Sequence, residues 1–207
     1  MSATATRPNR RQMTRERTRA EILEAAWELC RKGGLASLNL RDLASAVGMQ
    51  APSLYTHFDS KMAIYDAMFA QGYEAALEAV VPLEGNPTRT EAERQFRTEV
   101  RRFIQFCLAD TARYQLLFQR TIPGFVPSAA SMELANTTFG RTRDSLHAMG
   151  IAAPEALDLM TAVITGLVDQ QISNDPGGDR WLRLTDELLD MYLAFAARRW
   201  RQPNKRS

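Results

Sequence analysis

Gln50, Ala51, Pro52 and Ser53 stand in one run, and their side chains are of the kind that meets the edges of DNA bases. A carboxamide pairs bidentately with adenine, a hydroxyl donates or accepts at several bases, and small apolar groups meet a thymine methyl. On one short helix they form a reader with few base-specific hydrogen bonds. Close by stand Arg41, Tyr55, His57 and Lys61, whose guanidinium, phenol, imidazole and ammonium groups suit phosphates. Contacts of that second kind hold a protein in register and leave specificity to the base readers. Arg7, Arg10 and Arg11 could extend the grip, because basic arms enter a neighbouring minor groove. Two milder readings stay open: Tyr55 packing partly into a core, and the arm being a solvated tail.

Catalytic chemistry finds no comparable set of residues. The two histidines, His57 and His147, fall in different helical regions, and no Cys/His cluster has metal-ligand spacing. There is also no glycine-rich phosphate loop and no histidine placed to activate a nucleophile. No catalytic residue, metal or cofactor is expected, and the chain reads as a non-enzyme. Cys30 and Cys107 sit inside apolar helical patterns, as small buried hydrophobes do. A reducing cytoplasm fits them. No signal peptide and no run of about 20 apolar residues is visible. The glycosylation-like triplet at Asn136 is read as chance.

The elements that must position the reader are helices. Apolar residues at Ile22, Leu23, Ala26, Trp27, Leu29 and Cys30 give one buried face to a helix over about 14–32, stopped by Gly33-Gly34. Asn39 can cap a second helix, with Asp42 in its first turn and Leu40, Leu43, Ala44 and Val47 at helical spacing before Gly48. Pro52 fits only the first turn of a third helix, which should begin near Gln50 and bury Ala51, Leu54 and Phe58. Two short helices joined by so brief a break are a helix-turn-helix, the second helix of which enters the major groove. Asp59 or Ser60 caps a fourth helix, and five further helical stretches follow to about Phe195, separated by Pro- and Gly-marked loops. No alternating strand and no internal repeat is found.

Charge divides the chain. Residues 1–20 carry six arginines against one glutamate, a local +5, and residues 198–207 carry five bases and no acid. Between them, residues 62–197 hold 11 bases and 18 acids, a net −7. An acidic body between basic ends suggests two regions with two kinds of partner.

The run from Ile22 to Lys61, with ILEAAWELC, Gly33-Gly34, LNLRDLASAVG and APSLYTHFDSK, resembles the N-terminal DNA-binding domain of TetR-family transcriptional regulators. Cys30 stands where an aromatic is common in the family, and Met49 where valine is usual. The resemblance covers about a quarter of the chain. It implies an all-α homodimer: a flexible basic arm (1–13), a three-helix helix-turn-helix domain (14–61), a larger helical ligand-binding and dimerisation bundle (62–199) and a basic tail (200–207), about nine helices in all. It also implies that a small molecule in the C-terminal bundle releases the operator, and that the last two long helices pair with their copies.

Expected partners are therefore double-stranded DNA, a second copy of the chain and a small, largely apolar ligand, with no membrane. Candidates for a ligand pocket are Phe103, Phe106, Tyr114, Phe118, Met132, Phe139 and Met160, with Asp169 and Gln170, and Gln171 beside them, as polar groups. Taken singly, the apolar ones could equally be core, and the polar ones could face solvent. Candidates for the dimer interface are Val163, Gly166, Leu167, Leu188 and Tyr192. A dimer would set its reading helices about one DNA turn, roughly 34 Å, apart over a pseudo-palindromic operator. The alternatives are a non-specific architectural DNA-binding protein, which the acidic body opposes, and a helical small-molecule-binding protein or enzyme.

Overall fold

The structure is a computed structural model and describes residues 10–201. Arg7, Lys205 and Arg206 lie outside the described residues. Nine α-helices fill them: α1 (Arg10–Gly33), α2 (Leu40–Ala46), α3 (Ala51–Leu54), α4 (Lys61–Ala79), α5 (Arg89–Ala109), α6 (Thr111–Phe118), α7 (Ala129–Ala148), α8 (Pro154–Asn174) and α9 (Thr185–Trp200). Among the described residues there is no strand beyond one isolated bridge between Ile151 and Arg201. The all-α expectation holds.

The first helix begins earlier than its apolar pattern, so residues 10–13, expected in a flexible arm, are helical. Side chains support this polar turn. Thr14 and Thr18 donate to carbonyls four residues back, and Gln12–Glu16 and Arg17–Glu21 bond at the same spacing, where side chains meet on a helix surface. Arg10 and Arg11 thus leave from a helix, a correction to their placement in a flexible arm.

The capping residues do the work their types suggest. Asn39 accepts from the Asp42 amide at 2.8 Å, Ser60 rather than Asp59 accepts from Ala63 at 3.0 Å, and Thr88 with Glu91 closes a capping box on α5. Asp110 ends α5 and caps α6, accepting from Arg113 at 3.0 Å. Gly48 turns the chain between α2 and α3 with φ 69°, a value that costs a residue with a Cβ strain.

Two cores hold the helices. The first runs from Ile22, Ala26, Trp27 and Cys30 through Leu43, Leu54 and Phe58 to Ile64, Tyr65 and Met68, and continues through Phe69, Tyr73 and Leu117 to Ala135. The second joins Phe96 and Ile104 of α5, Tyr114 of α6, Met160 and Val168 of α8, and Leu189 and Tyr192 of α9. Because α4 spans the first core from the reading end to the body, packing is continuous across the expected domain border at 61/62. Trp27 donates to Gln71 at 2.7 Å and Tyr65 donates to the Leu35 carbonyl, fixing α1 on α4. Farther along, Gly72 lets α6 approach so closely that a Cβ there would lie 2.9 Å from Leu117 Cδ2.

Candidate functional site

The reading helix is shorter than expected. Its α-helical part is Ala51–Leu54, with Gln50 as N-cap, and it continues as tight i→i+3 turns through His57. So few hydrogen bonds cannot hold a helix by themselves. Leu54 and Phe58 plug it into the core, at 1% and 3% exposure, while Ala51 is only half-buried. Two arginines of α1 complete the clamp. Arg15 donates to the Thr56 carbonyl at 3.3 Å, and Arg19 donates to the His57 carbonyl while its guanidinium lies 4.0 Å from the centre of the Phe58 ring. Sequence reasoning missed both, because their partners lie 41 and 38 residues away.

On the outer side Gln50, Pro52 and Ser53 are exposed, and Ala51 is half-buried beside them. Tyr55 keeps 54% of its surface exposed, which favours its phosphate role over the core alternative. Arg41 is exposed in the first turn of α2, and Lys61 starts α4 with its Nζ 5.5 Å from the Tyr65 ring centre. His57 is half-buried, and its Nδ1 is buried without a hydrogen-bond partner, so Nε2 is the nitrogen left to meet a phosphate. The structure therefore gathers readers and holders on one end of the molecule.

The opposite end holds a narrow cavity between α5, α7 and α8. Phe96, Val100, Phe103, Phe118, Phe139, Leu157, Met160 and Ile164 make its apolar wall. Four threonines, Thr138, Thr142, Thr161 and Thr165, and one carboxylate, Glu99, are its polar groups. Val80, the C-cap of α4, closes one side. The free space is about 50 Å³, enough for only a few waters, so a larger occupant has to part the helices. Arg141 holds α4 here, donating to the Leu77 and Val80 carbonyls at 2.6 and 2.7 Å.

Residues 22–68 match the family model described as bacterial regulatory proteins, tetR family. Over 129 residues the chain is 27% identical to the HTH-type transcriptional activator FasR of Mycolicibacterium smegmatis, a match covering 61% of this chain and 58% of FasR. It thus spans less than two thirds of that relative's length. Over 165 residues it is 26% identical to the tetracycline repressor protein class A from transposon 1721 of Escherichia coli, covering 77% of this chain and 69% of the repressor. The fold is that of the regulatory protein SCO4313, with a TM-score of 0.71 at 21% identity over 91% of this chain and all of that one. Residues 22–68 thus match the N-terminal part of the TetR family.

Members of the family so matched are DNA-binding transcription factors rather than enzymes. This chain's pocket differs in part from the one read from the sequence. Phe103, Phe118, Phe139 and Met160 do line the cavity; Phe106, Tyr114, Met132, Asp169 and Gln170 do not. Phe106 lies under the Arg113 guanidinium, 3.9 Å from its ring centre. Tyr114 is buried beside the cavity and donates to Asp169 at 2.8 Å, and Gln119 donates to the same carboxylate oxygen, so Asp169 latches α8 to the α6 end. Burial and the facing Asp169 push the Tyr114 phenol well above its usual range. Met132 is exposed in a surface groove with Phe69, Phe125 and Val126. Gln170 faces out and bonds Asn174, while the buried Gln171 staples the α8–α9 turn by accepting from the Trp181 amide at 2.9 Å.

The interface candidates divide too. Leu167 and Tyr192 are buried inside the chain's own core, and the Tyr192 hydroxyl donates to the Ala156 carbonyl at 2.8 Å. They are corrected to core residues. Val163, Gly166 and Leu188 stay accessible, and the outward stripe of α9 runs Leu184, Leu188, Met191 and Phe195. The stripe was legible in the helical period; which neighbouring stripe is turned inward was not. Both cysteines are buried and free, with burial pushing Cys30 up to about 11 and Cys107 to about 12. Among the described residues no group of three His, Cys, Asp or Glu could hold a metal, and no helix is long and apolar enough to cross a membrane.

Proposed function

We propose that the protein is a homodimeric repressor that binds a pseudo-palindromic operator and leaves it when a small, largely apolar ligand enters the α5–α7–α8 cavity. The observation that carries this reading is the path of α4. Its first residue, Lys61, belongs to the DNA face, and its C-cap, Val80, belongs to the cavity wall. A ligand that favours a different setting of α4 thereby changes the spacing of the two reading helices. It weakens DNA binding only by its differential affinity for the two settings, typically about 1–3 kcal/mol of coupling.

Dimerisation is assigned to the outward stripes of α8 and α9. Ala162, Val163 and Gly166 on α8 are accessible, as are Leu184 at the N-cap of α9 and Leu188, Met191 and Phe195 along it, and Gly166 has open space where a Cβ would stand. The tetracycline relative bears the name of a repressor and FasR that of an activator. Repression is favoured here because a cavity coupled mechanically to the reading helices suits release. Gln50 to Ser53 are the base readers, with Arg41, Tyr55, His57 and Lys61 on phosphates.

Selection of bound sites from a random duplex library tests the reading. Gln50→Ala should relax one base position in each half-site, a discrimination of about 1–3 kcal/mol. Lys61→Ala should weaken binding at every sequence and reduce the salt slope by about one. An unchanged selected motif in the first variant refutes the reader, and a wild-type salt slope in the second refutes the phosphate contact. Random duplex bound as tightly as any selected site would instead favour an architectural protein.

A further inference from the structure

Glu99 sits on α5 with 4% of its surface exposed, between the phenylalanines, methionine and aliphatic side chains of the cavity on one side and a groove holding Arg94, Gln95 and Arg102 on the other. An ionised carboxylate removed from water is costly unless it is paired and hydrogen-bonded. Its hydrogen bonds are few: Oε1 accepts from Gln95 at 2.9 Å, and Oε2 accepts from Ser145 at 3.3 Å. A carboxylate has about four acceptor sites, so about half of them are unused. Among the described residues no lysine, arginine or histidine comes within ion-pair distance of it. Arg102 on α5 and Arg141 on α7 act on it by charge without pairing with it, and Arg141 spends its Nη1 on the Leu77 and Val80 carbonyls.

The rest of the wall limits what can meet that charge. The four threonine hydroxyls offer modest polarity, and three of them already donate to helix carbonyls: Thr138 to Leu134, Thr161 to Leu157 and Thr165 to Thr161. They can still accept. The cavity is thus lined by acceptors and one anion, with no cationic side chain. Such a lining selects against carboxylates and phosphates and in favour of hydrogen-bond donors, a positive one above all.

We propose that the cavity takes a small, mostly apolar ligand bearing a protonated amine, with Glu99 as the counter-ion and the threonine oxygens as further acceptors. This rests on the reading of the cavity as the ligand site. The ammonium supplies the partner that the folded chain lacks, and its apolar body packs against Phe103, Phe118, Phe139 and Met160. Aromatic faces around the site add attraction to the same cation.

Calorimetric titration of the full chain at pH 7.5 with 4-phenylbutylamine, 4-phenylbutan-1-ol and 4-phenylbutanoate separates the two claims. The wild type should rank amine above alcohol above carboxylate, with the amine about tenfold or more ahead of the alcohol, as a charge-assisted hydrogen bond implies. Glu99→Gln should reduce the amine's lead to less than about threefold and leave the alcohol's affinity within about threefold, while Glu99→Asp should keep part of the lead. The wild-type ranking alone decides the matter if a variant fails to fold. Equal binding of amine and alcohol by the wild type, or an undiminished amine preference in Glu99→Gln, overturns the ammonium assignment and leaves the apolar ligand site standing. Failure of all three probes to bind overturns both.

Discussion

Buried with two hydrogen bonds and no ion pair, Glu99 is under-compensated, and stability should record it. Burial pushes its carboxyl above the usual range, against the hydrogen bonds of Gln95 and Ser145 and the charges of Arg102 and Arg141. A group whose value is raised by folding adds stability below its unfolded pKa, and that contribution is lost as the pH rises through the folded value. Glu99→Gln should therefore melt higher than the wild type at pH 7.5 and gain nothing near pH 4, as followed by circular dichroism. A gain of equal size at both pH values would show that packing rather than ionisation is responsible. At this scale the sequence was informative where a residue's type fixes its role locally. Asn39 was legible as a cap because its partner is three residues away, and the start of the third helix because Pro52 marks it. Glu99 was not legible: in TEVRRFIQF it reads as one more charge on an amphipathic helix, and only the packing of α7 and α8 turns it inward.

Among the elements, α6 is the short piece that ties the reading end to the body. Asp110 caps it and also meets Arg31 of α1 at 2.9 Å, with the carboxylate 9% and the guanidinium 43% exposed. Asp110→Ala removes both functions and should cost about 1–2 kcal/mol, most of it the lost cap. Asp110→Asn keeps an acceptor for the Arg113 amide and should cost less than about 1 kcal/mol. Chemical denaturation of the two variants checks this; equal losses would mean that the ion pair dominates. The helices themselves were largely visible in advance, since their apolar period, caps and proline breaks are local signals. The errors came where tertiary contacts decide. The reading helix is only four α-helical residues because Arg15 and Arg19 hold its end in place of a hydrogen-bond ladder. The supposed arm is helical from Arg10 because polar i,i+4 pairs extend α1 beyond its apolar pattern.

At the scale of the whole molecule, one outward face remains. Met191 is 64% exposed and Phe195 39%, one turn apart on α9 beside the open flank of α8. If two copies meet there, a charge on each side faces its own image across the two-fold. The double variant Met191→Glu, Phe195→Glu should run as a monomer in light scattering and lose about 10²-fold or more in operator affinity, because the second half-site no longer binds as part of one molecule. A dimer that survives those substitutions would place the interface elsewhere. That α8 and α9 carry apolar stripes was plain from their period. Which residues belong to the chain's own core was not, and Tyr192 and Leu167 went inward because α5 and the start of α8 cover them.

The shared helix α4 also has a mechanical meaning. Its 19 residues make a rod about 28 Å long at 1.5 Å per residue. Tilted by about 5° around the tight contact at Gly72 and Leu117, a rod of that length displaces one end relative to the other by about 2.4 Å. Because Gly72 is the pivot, the reading end of α4 takes about 1.4 Å of that displacement; in a dimer the two rods are related by the two-fold rotation, so the separation of the reading helices changes by up to about 3 Å. Hydrogen bonds to bases tolerate only a few tenths of an ångström. In the release proposed above, a ligand that forces Val80 outward by less than the width of a methyl group is enough to put both readers out of step with the groove.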